Sequence, residues 1–369
     1  MAVKIIRQKE NRILIYPGGG IGDTIVSLPS FDLIAHFFAD DKTDIIVSNC
    51  KNVERTQQIF GPQRCSLVTA WYAGHADLPD YHSFDTSQGV FALDEFNRMI
   101  VTQQLLRKYP KFYPLFKENA QRNEFFQPFL KQDLLPYSHY QLAANAVKLG
   151  LDRYSLPIWS LGLSQKDIPA FLTKSHNKTS ANWLSMLANV HLDGLPVHYV
   201  TINDGWNITG KDERPTKAWP ATYWHELIDL LKQRGLKVVQ IGAIDNGETY
   251  SNVDVQLKGK LSFLDSLKVL QGSMCHVDIE GGLVHAAHKL NTRCVVLFGP
   301  TPVDFFGYQD NVNLIHGSCQ NCYWINKSWT VECTSSLRAD INFIKNSCMM
   351  HKPDLVAHHV VMTVAKGKK

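Results

Sequence analysis

Four stretches of the chain carry side chains whose types and spacing suit chemistry. Asp23 follows a glycine run, GGGIGD at 18–23, where a helix would begin. A carboxylate there either caps the helix or serves as a general base, with Gly20 and Gly22 leaving a substrate room to approach the backbone. At 215–224, PTKAWPATYW sets Thr216 and Lys217 just ahead of a second helix start. A lysine so placed neutralises a leaving diphosphate as a mobile point charge, or is an ordinary surface lysine. DIEGGLVHAAHKL at 278–290 puts Glu280, Gly281 and Gly282 between a strand end and a helix start, with Leu283 and His285 on the first turn. Exposed N–H groups and the positive end of the helix dipole suit a phosphate there. An ordinary glycine turn with a packed histidine is the plainer alternative.

The fourth stretch is a cysteine cluster. Cys50, Cys65, Cys275 and Cys294 are scattered in apolar surroundings, but Cys319, Cys322, Cys333 and Cys348 crowd the last sixth of the chain. A CxxC pair, ten residues, Cys333, fourteen more and Cys348 make a spacing that suits four thiolates around a tetrahedral structural metal, iron or zinc. With all four positions filled by protein the metal is structural, and no catalytic metal is expected; four reduced buried thiols are the alternative.

Alternating strand and helix patterns must position these groups. RILIYP at 12–17 reads as a strand, the glycine run as a turn, and DTIVSLPSFDLIAHFF as an amphipathic helix. TDIIVSNC and CSLVTAW read as further strands, and 95–155, with EFNRMIVTQQLLRKYPKFYPLF and SHYQLAANAVKLGL, as helices. After a stretch punctuated by Pro, Ser, Asn and Gly, the βα pattern resumes with VHYVTIN, ATYWHELIDLLKQRG, LKVVQIGA, FLDSLKVLQGS, CHVDI, a helix from about Leu283 to Leu290, and CVVLFG. The expected class is α/β, with an N-terminal Rossmann-like domain at 1–193, a second at 194–345 that includes the cysteine cluster, and a C-terminal helix with a basic tail at 346–369.

Composition narrows the function. The chain has 369 residues, 38 basic and 34 acidic side chains and a net charge of +4, enough for two domains at about 150 residues each. So mild a charge leaves no nucleic-acid footprint. No apolar run approaches the roughly 18 residues of a membrane span, and the charged opening MAVKIIRQKENR lacks the apolar segment of a secretory signal, so a cytoplasmic protein is expected. In either register GGGIGD places a non-glycine at the third position of GxGxxG, Asp23 or Ile25, which disfavours a nicotinamide enzyme.

The chain resembles the ADP-heptose:lipopolysaccharide heptosyltransferases of glycosyltransferase family 9. The resemblance is carried by GGGIGDTIVSLP, HYQLAANAVKLGL, TKAWPATYWHELIDLL and LDSLKVLQGSMCHVDIEGGLVHAAHKLNTRCVVLFGPT, in family order from 12 to about 302. It implies a GT-B fold of two facing Rossmann-like domains with a last helix that crosses back to the first. It implies inverting sugar transfer with Asp23 as base, Thr216 and Lys217 on the donor phosphates, and Glu280, Gly281, Gly282, Leu283 and His285 as the donor loop. Gly20 and Gly22 join the donor-binding set, and Gly299, Pro300 and Thr301 match a second loop. Where family members commonly carry Asp-Ser-Gly, Glu280-Gly281-Gly282 keeps the acid, lengthens it and removes a hydroxyl; Asn203 and Asp204 replace a Pro-Gly stretch. The similar autotransporter heptosyltransferases, which glycosylate proteins, carry a four-cysteine iron site. The implied partners are a nucleotide sugar, ADP-heptose first, and a lipopolysaccharide core or protein acceptor. Homo-oligomers and peripheral association with the inner face of the inner membrane are compatible with it. A non-catalytic metal-binding or assembly protein that retains the fold is the competing class.

Overall fold

A computed structural model describes residues 11–17, 20–38, 43–47, 52–71, 83–86, 89–92, 98–101, 152–154, 181–205, 215–317, 329–331 and 347–367, together with Gln121, Val147, Cys322 and Cys333. The chain divides into two compact units, Met1–Tyr137 with Arg153–Asn177, and Ser138–Asp152 with Lys178–Lys369.

In the first unit, β1 (Asn11–Tyr16), β2 (Thr43–Val47), β3 (Ala70–Trp71) and β6 (Arg98–Val101) form a parallel sheet in the order β3-β2-β1-β6. Strands β4 (Ser83–Thr86) and β5 (Gly89–Ala92) form a separate antiparallel pair. The order reverses at β1, so the glycine turn that follows it opens at the switch point of the sheet. Helix α1 (Ile21–Phe38) differs from the amphipathic helix expected: every residue from Thr24 to Phe31 is buried, as for a helix enclosed on all sides. Helices α2 (Val53–Phe60) and α3 (Pro62–Cys65) pack beside it, and the Arg64 guanidinium grips both carboxylate oxygens of Asp32 at 2.6 and 2.9 Å.

Two further expectations are corrected here. Of CSLVTAW only Ala70–Trp71 is strand, because Pro62–Cys65 forms a helical turn first. Arg98–Val101, expected within a helix, is the strand that pairs with β1. Three apolar residues, Met99–Val101, do not distinguish helix from buried strand by periodicity, and here the open edge of β1 decides it. Most of the remainder of 95–155, including HYQLAANAVKLGL, lies outside the described residues.

The second unit contains a six-stranded parallel sheet: β7 (Tyr199–Asn203), β8 (Lys237–Gln240), β9 (Val255–Gln256), β10 (His276–Ile279), β11 (Cys294–Phe298) and β12 (Val312–Ile315), ordered β12-β11-β10-β7-β8-β9. This is the doubly wound order 3-2-1-4-5-6 of dinucleotide-type sheets, with its switch point between β7 and β10. On one face Val200, Ile202, Val277, Ile279, Val295 and Leu297 form a core with α5 (Ala221–Gln233) and α9 (Pro353–Lys366). Each such aliphatic contributes roughly 1.5–3 kcal/mol by leaving water. Trp219 fills the same core and donates its indole N–H to the His351 carbonyl at 3.0 Å.

The remaining helices of this unit are α4 (Ala181–Leu187), α6 (Phe263–Gly272), α7 (Gly282–Lys289) and α8 (Val303–Phe306). Helix α4 docks Trp183 edge-on against Phe263, and Lys268 caps its end at the Leu187 carbonyl. The second unit takes in Ser138–Asp152 as well as Lys178–Lys369. The C-terminal helix, expected to cross back to the first domain, buries Val356, Ala357, Val360 and Val364 in the core of the second unit. Among the described residues no helix is long and apolar enough to cross a membrane.

Candidate active site

The first unit brings together Asp23 and Arg153. Asp23 is the third residue of α1, on the side of the turn after β1, and its Oδ1 pairs with the Arg153 guanidinium; both side chains are largely buried. The backbone of the turn is tied down by Thr24, whose N–H and hydroxyl both donate to the Gly20 carbonyl at 3.0 and 2.9 Å. A Cβ on Gly20 would stand 3.2 Å from Asp23 Oδ2, so the glycine keeps that oxygen uncrowded. Gly22 lies in the first turn of α1. Arginine 153 escaped the sequence reading because the pair is 130 residues apart in the chain.

In the second unit Thr216, Lys217, Glu280, Gly281, Gly282, Leu283 and His285 converge at the carboxyl end of β10, at the sheet's switch point. Lys217 Nζ bonds Glu280 Oε2 and donates to the Glu280 carbonyl at 3.2 Å. His285 Nε2 lies 3.7 Å from Glu280 Oε1, and its Nδ1 is 2.7 Å from the Tyr308 hydroxyl, on whose ring His288 stacks at 3.7 Å. His285 is therefore both packed and turned toward the acid.

The loop that bears Lys217 is held from beyond β12. Thr216 donates its N–H to the Thr330 carbonyl and its hydroxyl to the Trp329 carbonyl, both at 2.8 Å, and Lys217 Nζ stands 5.8 Å above the Trp329 ring. Trp329 and Thr330 lie between Cys322 and Cys333, so the cysteine-bearing segment buttresses the lysine. Nothing in the sequence pattern pointed to that tryptophan.

Helix α7 starts at Gly282 with no side-chain cap from Gly281, which leaves backbone N–H groups and the positive dipole end for another acceptor. Gly281 is extended, at φ −165°, and a Cβ there would meet only ordinary contacts. Neither strain nor crowding demands a glycine; its lack of a side chain keeps the helix start open. The loop after β11 holds Gly299 against Met349 and Cys348, and brings in Thr301, buried, with its hydroxyl unpartnered among the described residues.

Of the cysteine quartet, Cys319 lies outside the described residues. Cys322 and Cys333 are half-buried and Cys348 is buried. Among the described residues no group of three or more His, Cys, Asp or Glu side chains is arranged to hold a metal. The donor chemistry, thiols that become thiolates on binding, suits iron or zinc.

Residues 194–331 match the profile of glycosyltransferase family 9 (heptosyltransferase). Lipopolysaccharide heptosyltransferase 1 of Pseudomonas aeruginosa PAO1 is 34% identical over 98 residues, 25% of this chain and 28% of that protein. The Escherichia coli K12 enzyme of the same name is 29% identical over 131 residues, 34% of this chain and 41% of its own length. The chain thus matches less than half the length of these curated relatives. Among solved structures, the iron-containing dodecameric glycosyltransferase TibC from enterotoxigenic E. coli H10407 superposes with TM-score 0.56 at 14% identity, over 98% of this chain and 77% of that one. E. coli ADP-heptose lipopolysaccharide heptosyltransferase II gives 0.50 at 12% identity, over 97% and 100%. At these identities the likeness is one of fold, and the fold class is GT-B.

Proposed function

We propose, because residues 194–331 match the profile of glycosyltransferase family 9, that the chain is a member of that family and an inverting glycosyltransferase that moves a sugar, heptose from ADP-heptose, to a hydroxyl of a lipopolysaccharide core or protein acceptor. The observation that carries this reading is the uncapped start of α7 beside Lys217, an anion site at the switch point of a doubly wound sheet. In the reaction the acceptor O–H gives its proton to the Asp23 carboxylate, and its oxygen forms a bond to the anomeric carbon. The bond from that carbon to the diphosphate breaks, its electron pair leaves with the diphosphate, and the configuration inverts. Negative charge develops on the leaving group, where Lys217 and the N–H groups at 281–283 would stabilise it. Thr216 and the unpartnered Thr301 hydroxyl are further donors to the phosphates, and Gly20 and Gly22 leave space for the substrates. Arg153 pairs with the Asp23 carboxylate and orients it.

Cys319, Cys322, Cys333 and Cys348 would hold a structural iron or zinc. Such a metal supplies a cross-link between the segment around Trp329 and the one that ends at Cys348 under Gly299. Metal analysis of the purified protein against Cys322→Ser tests it: metal lost in the variant supports the site, and an unchanged content overturns it.

One observation favours the competing class, a non-catalytic metal-binding or assembly protein: both candidate charges, Asp23 and Lys217, already sit in ion pairs. Thermal unfolding with ADP, UDP and GDP sugars separates the two. Stabilisation by the ADP sugar supports the transferase; no shift with any nucleotide supports the alternative.

A further inference from the structure

The central strands of the second sheet carry a row of polar residues where apolar ones are the rule. Parallel sheets covered on both faces are normally built of continuous hydrophobic strands. Here His276 pairs in register with Thr201 and Asp278 with Asn203, on the face opposite Val277 and Ile279. All four are at most 5% exposed. Thr201 Oγ1 is 3.0 Å from Ser273 Oγ and 3.0 Å from His276 Nδ1. His276 Nε2 is 3.3 Å from Asp278 Oδ2, and Asn203 Nδ2 donates to that same oxygen at 2.8 Å. The row climbs the sheet from Ser273 and ends at the two strand ends that flank the switch point.

The upper end fits closely around the loops of the candidate site. A Cβ on Gly205 would overlap Asn203 Nδ2 and stand 3.1 Å from Asp278 Oδ1, and one on Gly242, at φ +130°, would overlap Asn203 Oδ1. Two glycines therefore make room for a single buried amide. Asp278 is two residues before Glu280, and its Oδ1 has no hydrogen-bond partner among the described residues. Burial pushes the Asp278 carboxyl upward in pKa, opposed by hydrogen bonding and charge from His276 and by the Asn203 amide. A buried polar row with one unmatched acceptor costs stability relative to an apolar core. A role at the adjacent site accounts for its presence.

We propose that His276, Asp278 and Asn203 are positioning residues, a ladder that fixes the turns at 203–205 and 280–282 and so aims the start of α7 at the donor diphosphate. The reaction it serves rests on the transferase reading above; the geometry it sets does not. The Thr201 hydroxyl donates to Ser273 Oγ and meets His276 Nδ1, His276 Nε2 faces Asp278 Oδ2, and Asn203 locks the carboxylate from the neighbouring strand. With both sides held, Gly281 is kept beside the Gly205 carbonyl, 3.9 Å from where a Cβ on it would lie.

The test uses the full-length protein, Asp278→Asn, Asn203→Asp and the double exchange. Asp278→Asn is expected to lower kcat for sugar transfer about 10- to 100-fold, as misplaced groups do, with little change in donor KM. The double exchange, which restores a carboxylate-to-amide pair across the strands, is expected to recover a large part of the loss. Amide hydrogen exchange without nucleotide is expected to quicken at 280–284 in Asp278→Asn and stay unchanged at 237–240. Unchanged exchange at 280–284, uniform acceleration across the unit, or a loss of kcat that the double exchange fails to recover would overturn the ladder. A wild-type protein that neither binds ADP nor transfers sugar would overturn the transferase reading, while hydrogen exchange still decides the ladder.

Discussion

The two units start alike and end in different chemistry. In each, the first strand of the parallel sheet has its carboxyl end at the sheet's switch point. In the first unit that strand runs directly into α1, a helix buried over most of its N-terminal half, and one carboxylate, Asp23, stands on its first turn. In the second, the critical turn follows β10 instead, the helix start is uncapped, and a lysine reaches it from a loop held by Trp329 and Thr330. On the proposed reading, the same topology offers a proton acceptor in one half and an anion cradle in the other. The lesson is that the sheet order locates a site, while the residues at the strand ends decide what it can do.

Removing the acid should have the largest effect. Asp23→Asn is expected to lower turnover by about 10²- to 10⁴-fold, the usual share of general base catalysis, with ADP affinity intact by calorimetric titration. Loss of ADP binding in that variant would erase the contrast between the halves. Lys217→Met should cost about 10²- to 10³-fold in turnover, as for other lost charge-stabilising donors, and should also weaken ADP. Glu280→Gln in turn releases Lys217 from its ion pair; tighter ADP binding is expected, and unchanged binding would show that the pair does not compete with the diphosphate.

Stability supplies the smaller contrasts. Burial holds the His351 imidazole down to about 4 from its usual 6.5, helped by the charge of His316 and opposed by the bond between its Nε2 and the Phe298 carbonyl at 3.0 Å. The unfolded chain takes up a proton below about 6.5 that the fold refuses until about 4. The second unit therefore loses stability as pH falls through that window, on the order of 3 kcal/mol in all. His351→Gln, which keeps a donor for Phe298, should flatten this part of the pH profile of denaturant unfolding; an unchanged profile would assign the slope elsewhere.

Much of the second unit was legible in the sequence, because its strands and helices carry clean signals. Ser262 and Asp265 form a reciprocal capping box ahead of α6, and Pro353 opens α9 at its first position. The first unit was less legible. Helix α1 has apolar residues on all sides, so periodicity could not show which face is buried, and Arg98–Val101 is too short a run to reveal its pairing with β1. Site partners were the least readable. Arg153 meets Asp23, and Trp329 meets Thr216, across 130 and 113 residues, and only folding brings such pairs together. His276 and Asp278 did alternate with Val277 and Ile279, the period-2 signal of a two-faced strand, but their pairing with Thr201 and Asn203 depends on register.

Mass spectrometry of sugar transfer, from ADP, UDP and GDP sugars to lipopolysaccharide core and protein acceptors, tests the central claim most directly. Transfer of a single heptosyl mass from ADP-heptose, abolished in Asp23→Ala, is the predicted result. No transfer from any nucleotide sugar, or transfer that survives Asp23→Ala at the wild-type rate, would contradict it.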